Sequence, residues 1–340
     1  MKCIAMLLVV FFLPRFSSAQ EHNVGDGPHG ITAAPSLVEF QNSLWALYQG
    51  RGENKKLEYR IFKDGDWTLQ SRVPNLEMSE SPSAVVYKDK LYAFHQDNGH
   101  RGELWYTIHN GKSWSNDMHL GGIGMSYSPS AVVFQDKLYV LHRAKDGRQE
   151  LWYSVFDGNS WSRDMEIPTI LSTESPATVV YNNKLYVFHQ SGGGNHNQLW
   201  YFTFDGKTWS KDMRVGDVLL LGTPTPVVYK DKIWVMHQGS PRSNEMWVTT
   251  FDGHGFTKDV IVNGPQMGAS AGAAVFNNEM YNFYAYRDGK GYLWYIKNID
   301  GVWKRPEIID GFSFEDGGYL DKKFGTFTFP STHNSYIAPP

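Results

Sequence analysis

Apolar and aromatic residues in this chain fall into short runs that alternate with polar turns, and the same arrangement returns along most of its length. In one instance a Val-Val run ends at Tyr181, turns at Asn182-Asn183 and continues as an apolar run to His189. A repeat of about 47 residues is typical of a solenoid, a propeller or another array of small units. The aromatic residue that ends the first run marks six repeats at intervals of 47 or 48 residues: Phe40, Tyr87, Phe134, Tyr181, Tyr229 and Phe276.

Each repeat predicts four short strands. Two β-branched or aromatic runs joined by a two-residue polar turn indicate a β-hairpin. A second hairpin is predicted to begin near Trp105, turn at Asn110-Gly111 and continue through Trp114. No helical periodicity lies between these runs, and four strands per repeat match a propeller blade. The sequence therefore predicts an all-β fold, a six-bladed β-propeller of four-stranded blades over residues 31–310.

One rim of this propeller is the candidate binding face. If the four strands run outward from the axis, the loops between the second and third strands share a rim with the connectors between blades. Binding residues concentrate on loops held by a rigid scaffold. These loops vary most between repeats and span residues 49–56, 96–102, 143–149, 190–198, 238–244 and 285–292.

A histidine stands at the end of the second predicted strand in four repeats. A propeller places these histidines in separate blades, whereas zinc requires ligands that converge at about 2 Å. We therefore expect them to bond the backbone, and we expect neither a metal nor a cofactor. The column comprises His95, His142, His189 and His237, with Tyr48 and Tyr284 in the end repeats.

Tryptophan and charged residues form two further columns, and each has two interpretations. The tryptophans either pack between blades or stack on the apolar face of a sugar. The charges are either solvated loop residues or partners for sugar hydroxyl groups. The columns comprise Trp105, Trp152, Trp200, Trp247 and Trp294, preceded by Glu103, Glu150, Gln198 and Glu245 and accompanied by Arg101, Arg148 and Arg242.

Composition and the N-terminus indicate an extracellular protein. The 340 residues carry 32 basic and 35 acidic side chains, which gives no reason to expect nucleic acid as a partner. Residues 1–19 combine Lys2, an apolar stretch and small residues ending at Ala19, which is the pattern of a secretory signal peptide. Residues 20–30 form a polar N-terminal segment. The one cysteine, Cys3, lies within the signal peptide, so no disulfide is expected in the secreted form.

The blade sequence resembles a known family. The segments 175–181, 199–201 and 204–209 are similar to the blades of the fucose-specific, six-bladed fungal lectins, and the resemblance extends over roughly residues 30–309. It implies that monosaccharides bind between adjacent blades through arginine, glutamate and an aromatic residue, and that the partners are glycans or glycoconjugates on a cell surface. Gln198 departs from this pattern beside Trp200. The implied sugar contacts are Arg101, Glu103, Trp105, Arg148, Glu150, Trp152, Trp200, Arg242, Glu245 and Trp247.

Sialidases are the enzyme alternative for six blades. The segment 154–161 is similar in place to their Asp-box but differs in spacing. No set of three arginines stands out at the blade starts, so the sequence disfavours this alternative.

The C-terminal segment belongs to a different pattern. Residues 324–336, which include Ser331-Thr332-His333-Asn334-Ser335, resemble the opening of the X domain of phosphatidylinositol-specific phospholipase C. The resemblance implies that residues 311–340 hold a linker and the start of a TIM-barrel-like phosphodiesterase domain, with His333 as general base and a phosphoinositide or GPI-type lipid as partner of a longer form. A complete barrel needs about 250 residues, so we expect no hydrolysis by the chain as given.

These observations predict a secreted, carbohydrate-binding propeller that targets a phospholipase-C-like phosphodiesterase. Two alternatives remain open: a phosphoric diester hydrolase of that class, and a propeller for protein contacts without a sugar site. The sequence alone leaves open the sugar, the number of functional pockets and the way the ring closes.

Overall fold

The computed structural model describes residues 34–50, 55–68, 70–99, 102–192, 197–239, 244–286 and 293–309. Throughout these ranges the chain forms strands, turns and bends without a helix, which confirms the all-β prediction. Accordingly, no described helix is long and apolar enough to cross a membrane. The predicted signal peptide, the segment 20–30 and the tail 311–340 with His333 lie outside the described residues.

The first three blades consist of antiparallel strands that follow the chain from the axis outward. The last part of β5 is the inner strand of the second blade, and the last part of β8 is the inner strand of the third. The strands are β1 (Ser36–Phe40), β2 (Ser43–Gln49), β3 (Lys56–Lys63), β4 (Asp66–Trp67), β5 (Ser71–Tyr87), β6 (Lys90–Asp97), β7 (Glu103–His109), β8 (Met118–Phe134), β9 (Lys137–Ala144), β10 (Glu150–Phe156) and β11 (Met165–Leu171).

The last three blades repeat this order. Strand β15 again serves two blades, since it pairs with β14 at its start and with β16 at its end. The strands are β12 (Ala177–Tyr181), β13 (Lys184–Gln190), β14 (Gln198–Phe204), β15 (Met213–Tyr229), β16 (Lys232–Gly239), β17 (Glu245–Phe251), β18 (Val260–Gln266), β19 (Gly272–Phe276), β20 (Glu279–Ala285), β21 (Leu293–Ile299), β22 (Val302–Trp303) and β23 (Glu307–Ile308).

The turn between the first two strands of each blade has the predicted hairpin geometry. Both turn residues have positive φ, as in Asn182 (47°) and Asn183 (55°). Two consecutive positive φ values define a type I′ turn, whose twist matches that of the flanking strands. The other five turns are Gln41-Asn42, Lys88-Asp89, Gln135-Asp136, Lys230-Asp231 and Asn277-Asn278.

The fourth strand begins later than the sequence predicts in blades 2 to 5. Trp114 makes only an isolated bridge to His109, and the outer strand of that blade starts at Met118. The tryptophan instead packs into the apolar cluster between blades 1 and 2. The predicted second hairpin is thus a tight turn that buries an aromatic side chain, followed by the true edge strand.

The chain passes directly from one blade to the next. Glu103 pairs with Gly124 at the end of one outer strand, and the next residue, Met125, already pairs with Ala144 in the second strand of the following blade. The same step occurs at all five junctions, with the pairs Met78–Asp97, Met125–Ala144, Ser172–Ser191, Leu220–Gly239 and Met267–Tyr286.

Apolar side chains fill each of the six interfaces between blades. One cluster joins the first and last blades, where Leu37 and Tyr48 pack with Phe283 and Ile309, so the ring closes by side-chain packing. The other five clusters join successive pairs of blades. Burial of apolar surface is the main stabilising contribution in such a fold.

Polar contacts near the axis repeat with the blades. The Ser36 and Ser83 hydroxyls accept hydrogen bonds from the backbone of the following blade, at Ala84 and Ala131. At the rim that carries the turns between the first two strands, the Tyr181 hydroxyl donates to the carbonyl of Asp231 at 2.8 Å. Tyr87 and Tyr229 donate in the same way to Asp136 and Asn278. The marker tyrosines of blades 2, 4 and 5 therefore tie their blades to the hairpin turn of the next blade.

Candidate functional site

The histidine column is structural in the described ring. Each imidazole is buried, and its Nδ1 lies 3.1 to 3.3 Å from the carbonyl oxygen of the next residue, which confirms the predicted backbone bond. Its Nε2 lies 3.0 to 3.1 Å from an aspartate that the sequence reading missed. The pairs are His95–Asp117, His142–Asp164, His189–Asp212 and His237–Asp259. Within the described ranges no cluster of three side chains suited to a metal ion occurs.

The twelve tryptophans divide into two groups. Eight pack into the apolar clusters between blades, and Trp294 is the one member of the predicted column among them. The remaining four belong to none of these clusters and are only half-buried: Trp105, Trp152, Trp200 and Trp247. Packing between blades therefore explains Trp294 but leaves the other four without a core role.

Each of these four tryptophans lies where the outer strand bulges. In blade 2, Glu103 pairs with Gly124 and Trp105 with His119, so the outer strand carries extra residues between the two pairs. A β-bulge re-aims side chains and is common beside binding sites. The same shift recurs in the other blades of this group. A residue with positive φ marks the bulge in five blades: Asn75, Gly122, Thr169, Gly216 and Gly264.

A cavity of about 260 Å³ lies beside Trp152, between blades 2 and 3. Gly122 and Gly124 of the bulge form one wall, and the loop after β9 with Arg148 forms another. The structure thus brings the predicted Arg148 and Trp152 to one concave site on the predicted rim. The remaining lining residues are Ala144, Lys145, Asp146 and Asp164.

The acidic column takes different roles in different blades. One carboxylate oxygen of Glu150, two residues before Trp152 on the same strand face, is buried and has no hydrogen-bond partner among the described residues. Glu103 instead lies 3.4 Å from Nε2 of His119. Gln198 accepts a hydrogen bond from Nε1 of Trp200 at 3.3 Å. An unpaired buried carboxylate oxygen is costly, but Glu150 is not among the residues that line the blade 3 cavity.

The first blade differs at the tryptophan position. Glu58 occupies the tryptophan position, where it is buried and bonded by Arg72 at 2.7 Å and by Gln70. The ion pair between Arg72 and Glu58 therefore stands in blade 1 where blade 3 has the indole of Trp152. Arg101 and Arg242, two of the predicted sugar contacts, lie outside the described residues, and Glu245 and Trp247 stand at the start of β17 beside that gap.

The axial channel, of about 430 Å³, is a second concavity. Glu80, Tyr127 and Glu174 line it, and the guanidinium of Arg143 lies 4.9 Å from the Tyr127 ring centroid. Burial raises the pKa of Glu174, while the positive charge of Arg143 opposes and the negative charge of Glu80 reinforces that rise. The channel wall is polar. Backbone N–H groups in it donate hydrogen bonds to serine hydroxyl groups of the neighbouring blade.

No family model matches this chain, and no curated protein matches it. Several solved structures, however, match the fold of this chain. The AofleA protein from Arthrobotrys oligospora is 14% identical and matches 83% of this chain and 88% of its own, with a TM-score of 0.64. An asparagine-to-glutamine mutant of the Aleuria aurantia lectin, in complex with Fucα1-6GlcNAc, is 13% identical over 85% of this chain and 99% of its own, with a TM-score of 0.65.

A third structure, the SapL1 lectin in complex with α-methyl fucoside, is 10% identical over 82% of this chain and 96% of its own, with a TM-score of 0.62. The Aleuria lectin is described as a six-bladed β-propeller with a distinct mode of fucose recognition. These likenesses show that the chain shares the six-bladed propeller fold, as predicted.

Proposed function

We propose that the protein is a secreted carbohydrate-binding propeller whose sugar pockets lie between blades beside the half-buried tryptophans. The observation that carries the proposal is the cavity of blade 3, where Trp152 and Arg148 line one concave space. An aromatic face covers the apolar side of a sugar ring, and a guanidinium donates to hydroxyl pairs in a fixed fork. Asp146 and Asp164, which also line the cavity, supply carboxylate acceptors for sugar hydroxyl groups.

Fucose is the first sugar to test. The similar propellers include a lectin solved with Fucα1-6GlcNAc and another with α-methyl fucoside. Because these lectins are only 13% and 10% identical to this chain, the choice of sugar is argued from the chemistry of this chain's own pocket residues. The charged lining of the blade 3 cavity, with Lys145, Asp146 and Arg148, favours a polar, hydroxyl-rich ligand over an apolar one.

Glycan-array binding of the secreted full-length chain, followed by calorimetry with α-methyl-L-fucoside or the methyl glycoside of the best array ligand, tests this function. We expect Trp152→Ala to weaken the affinity by about tenfold or more, since stacking and buried area are both lost. Because Trp152 lies outside the apolar clusters, we expect the variant to fold.

Tyr127→Ala is the matched control, since it removes an exposed aromatic residue from the axial channel. If Tyr127→Ala abolishes binding and Trp152→Ala does not, the ligand binds on the axis and the pocket assignment is wrong. A chain that binds no glycan on the array favours the alternative of a propeller for protein contacts.

The proposal also includes a fused phosphodiesterase domain, which is suggested by the segment 324–336. Its role would be hydrolysis of a phosphoinositide or GPI-type lipid at a glycosylated surface, with His333 as general base. The resemblance of that segment, together with the N-terminal pattern for secretion, is the whole of its support.

A further inference from the structure

The four tryptophans outside the apolar clusters face different residues on the outer strand. The register places Trp105 opposite His119, Trp152 opposite Glu166, Trp200 opposite Arg214 and Trp247 opposite Ile261. Directly opposed residues in an antiparallel pair project on the same face of the sheet. The outer-strand residue therefore decides what lies over each indole.

His119 covers the indole of Trp105. The two ring centroids are 4.8 Å apart and the ring planes are inclined by 29°, which is a stacked arrangement. The Nε2 of the same imidazole lies 3.4 Å from Oε2 of Glu103. The histidine thus contacts both the aromatic face and the carboxylate that the proposed site would offer to a sugar.

Blade 3 lacks such a cover. Glu166 is exposed, and no ring among the described residues stacks on Trp152. One Glu150 oxygen is buried with no hydrogen-bond partner in the described ranges, and the cavity lies open beside the indole. Blade 4 is intermediate, because Arg214 turns to Asp217 at 2.8 Å while Gln198 bonds the Trp200 indole.

From this contrast we infer that His119 is a built-in occupant of the blade 2 pocket, so that the pockets differ in strength and the blade 3 pocket fills first. The inference rests on the proposed sugar binding and names the residue that ranks its sites. A sugar must displace the imidazole from Trp105 and Glu103 before it can bind there. Loss of one aromatic stack and one partly exposed imidazole–carboxylate contact weakens the affinity of that pocket by about tenfold.

The test follows indole N–H resonances of the ¹⁵N-labelled full-length protein during titration with α-methyl-L-fucoside, or with the methyl glycoside of the best array ligand. Trp105→Phe and Trp152→Phe assign the two signals. In the unmodified protein, we expect the Trp152 signal to reach its midpoint at about one-tenth of the sugar concentration that Trp105 needs. In His119→Ala, the Trp105 midpoint falls about tenfold, while the Trp152 midpoint stays in place.

The control is Glu166→Ala, which changes the equivalent outer-strand position of blade 3. We expect it to leave the Trp105 midpoint unchanged. If Trp152 responds to sugar and the Trp105 midpoint is the same with and without His119, the inference is wrong and the proposed function stands. If neither indole responds in the unmodified protein or in His119→Ala, both the proposed function and the inference are wrong.

Discussion

The buried His142 joins three parts of its blade. The imidazole of His142 reaches the backbone carbonyl of Arg143 through Nδ1 and the Asp164 carboxylate through Nε2. Asp164 also accepts a hydrogen bond from Ser154 in the third strand. The residue thus connects the end of the second strand to the start of the outer strand, which explains a polar side chain with no exposed surface.

Removal of one carboxylate tests this role. In Asp164→Ala the buried imidazole loses its Nε2 acceptor, and an unsatisfied buried polar group costs about 1–3 kcal/mol in the free energy of unfolding. Urea denaturation measures the change. The exposed Glu166→Ala in the same outer strand is the control, with an expected change within about 0.5 kcal/mol. Equal stabilities for the two variants would contradict the structural role.

At the residue scale, the sequence predicted the histidine column and its backbone bond but not the aspartate partners. Asp117, Asp164, Asp212 and Asp259 recur at the repeat interval, so the signal was present. The end repeats support the pairing, because they have tyrosine in place of histidine and lack the aspartate. His119 could not be found in this way, since it belongs to one blade alone and its contact depends on the bulge register.

At the element scale, the hairpin turns followed from local chemistry. Polar residues that tolerate positive φ stand at all six inner turns, and the structure has the type I′ geometry there. The starts of the outer strands differ from the prediction, because the sequence pattern predicts that Trp114 and its equivalents are strand residues. Their aromatic rings satisfy the interface between blades, and this tertiary contact outweighs their strand propensity.

The turns between the third and fourth strands are stabilised by aspartates. The backbone N–H groups of Ser160 and Asn159 donate to Asp157 and hold the pKa of its carboxyl below the ordinary value of 3.8. Asp205 and Asp252 are bonded in the same way, and the pKa of each is also lowered. The glycine that follows each aspartate has a φ near 100°, which other residues rarely adopt.

This geometry predicts an acid-sensitive contribution to stability. Since the folded pKa is depressed, the charged turns stabilise the fold above the unfolded pKa of about 4 and lose that contribution as the pH falls through the folded pKa. Asn at positions 157, 205 and 252 keeps the acceptor oxygen and removes the charge. We therefore expect the triple variant to show a shallower fall in melting temperature between about pH 5 and pH 2.5.

Asp146→Asn is the control for this comparison, since its carboxylate accepts no hydrogen bond within the described part of the chain. Its melting curve should follow that of the unmodified protein across the same range. A triple variant with an unchanged acid dependence would assign the acid sensitivity to other groups.

At the scale of the whole molecule, the period alone indicated six blades, but the repeat pattern did not show how the ring closes. Closure depends on how the face of blade 6 fits that of blade 1, with Leu37, Tyr281 and Phe283 in one cluster. Non-local packing of this kind has no local pattern. Gly272 is the clearest trace of it: the other five blades have Ser, Ala or Thr at this position.

Gly272 is required at this seam because a Cβ there would overlap the carbonyl oxygen of Pro35. We expect Gly272→Ala to lower the free energy of unfolding by about 1–3 kcal/mol, since the backbone of blade 1 must shift. Gly121→Ala is the control, because a Cβ at Gly121 meets no atom within 4 Å. Urea denaturation measures both variants, and an unaltered stability of Gly272→Ala would show that the seam is looser than the structure indicates.

Every blade takes all its strands from one contiguous stretch of chain, and the first and last described strands meet at this same seam. Leu37 and Ile309 share a cluster there; Leu37 lies three residues after the first described residue, and Ile309 is the last described residue. A circular permutation that joined these ends and opened the chain at another junction would keep all blades whole and every interface filled. The order of the blades along the gene is therefore separable from their order around the axis.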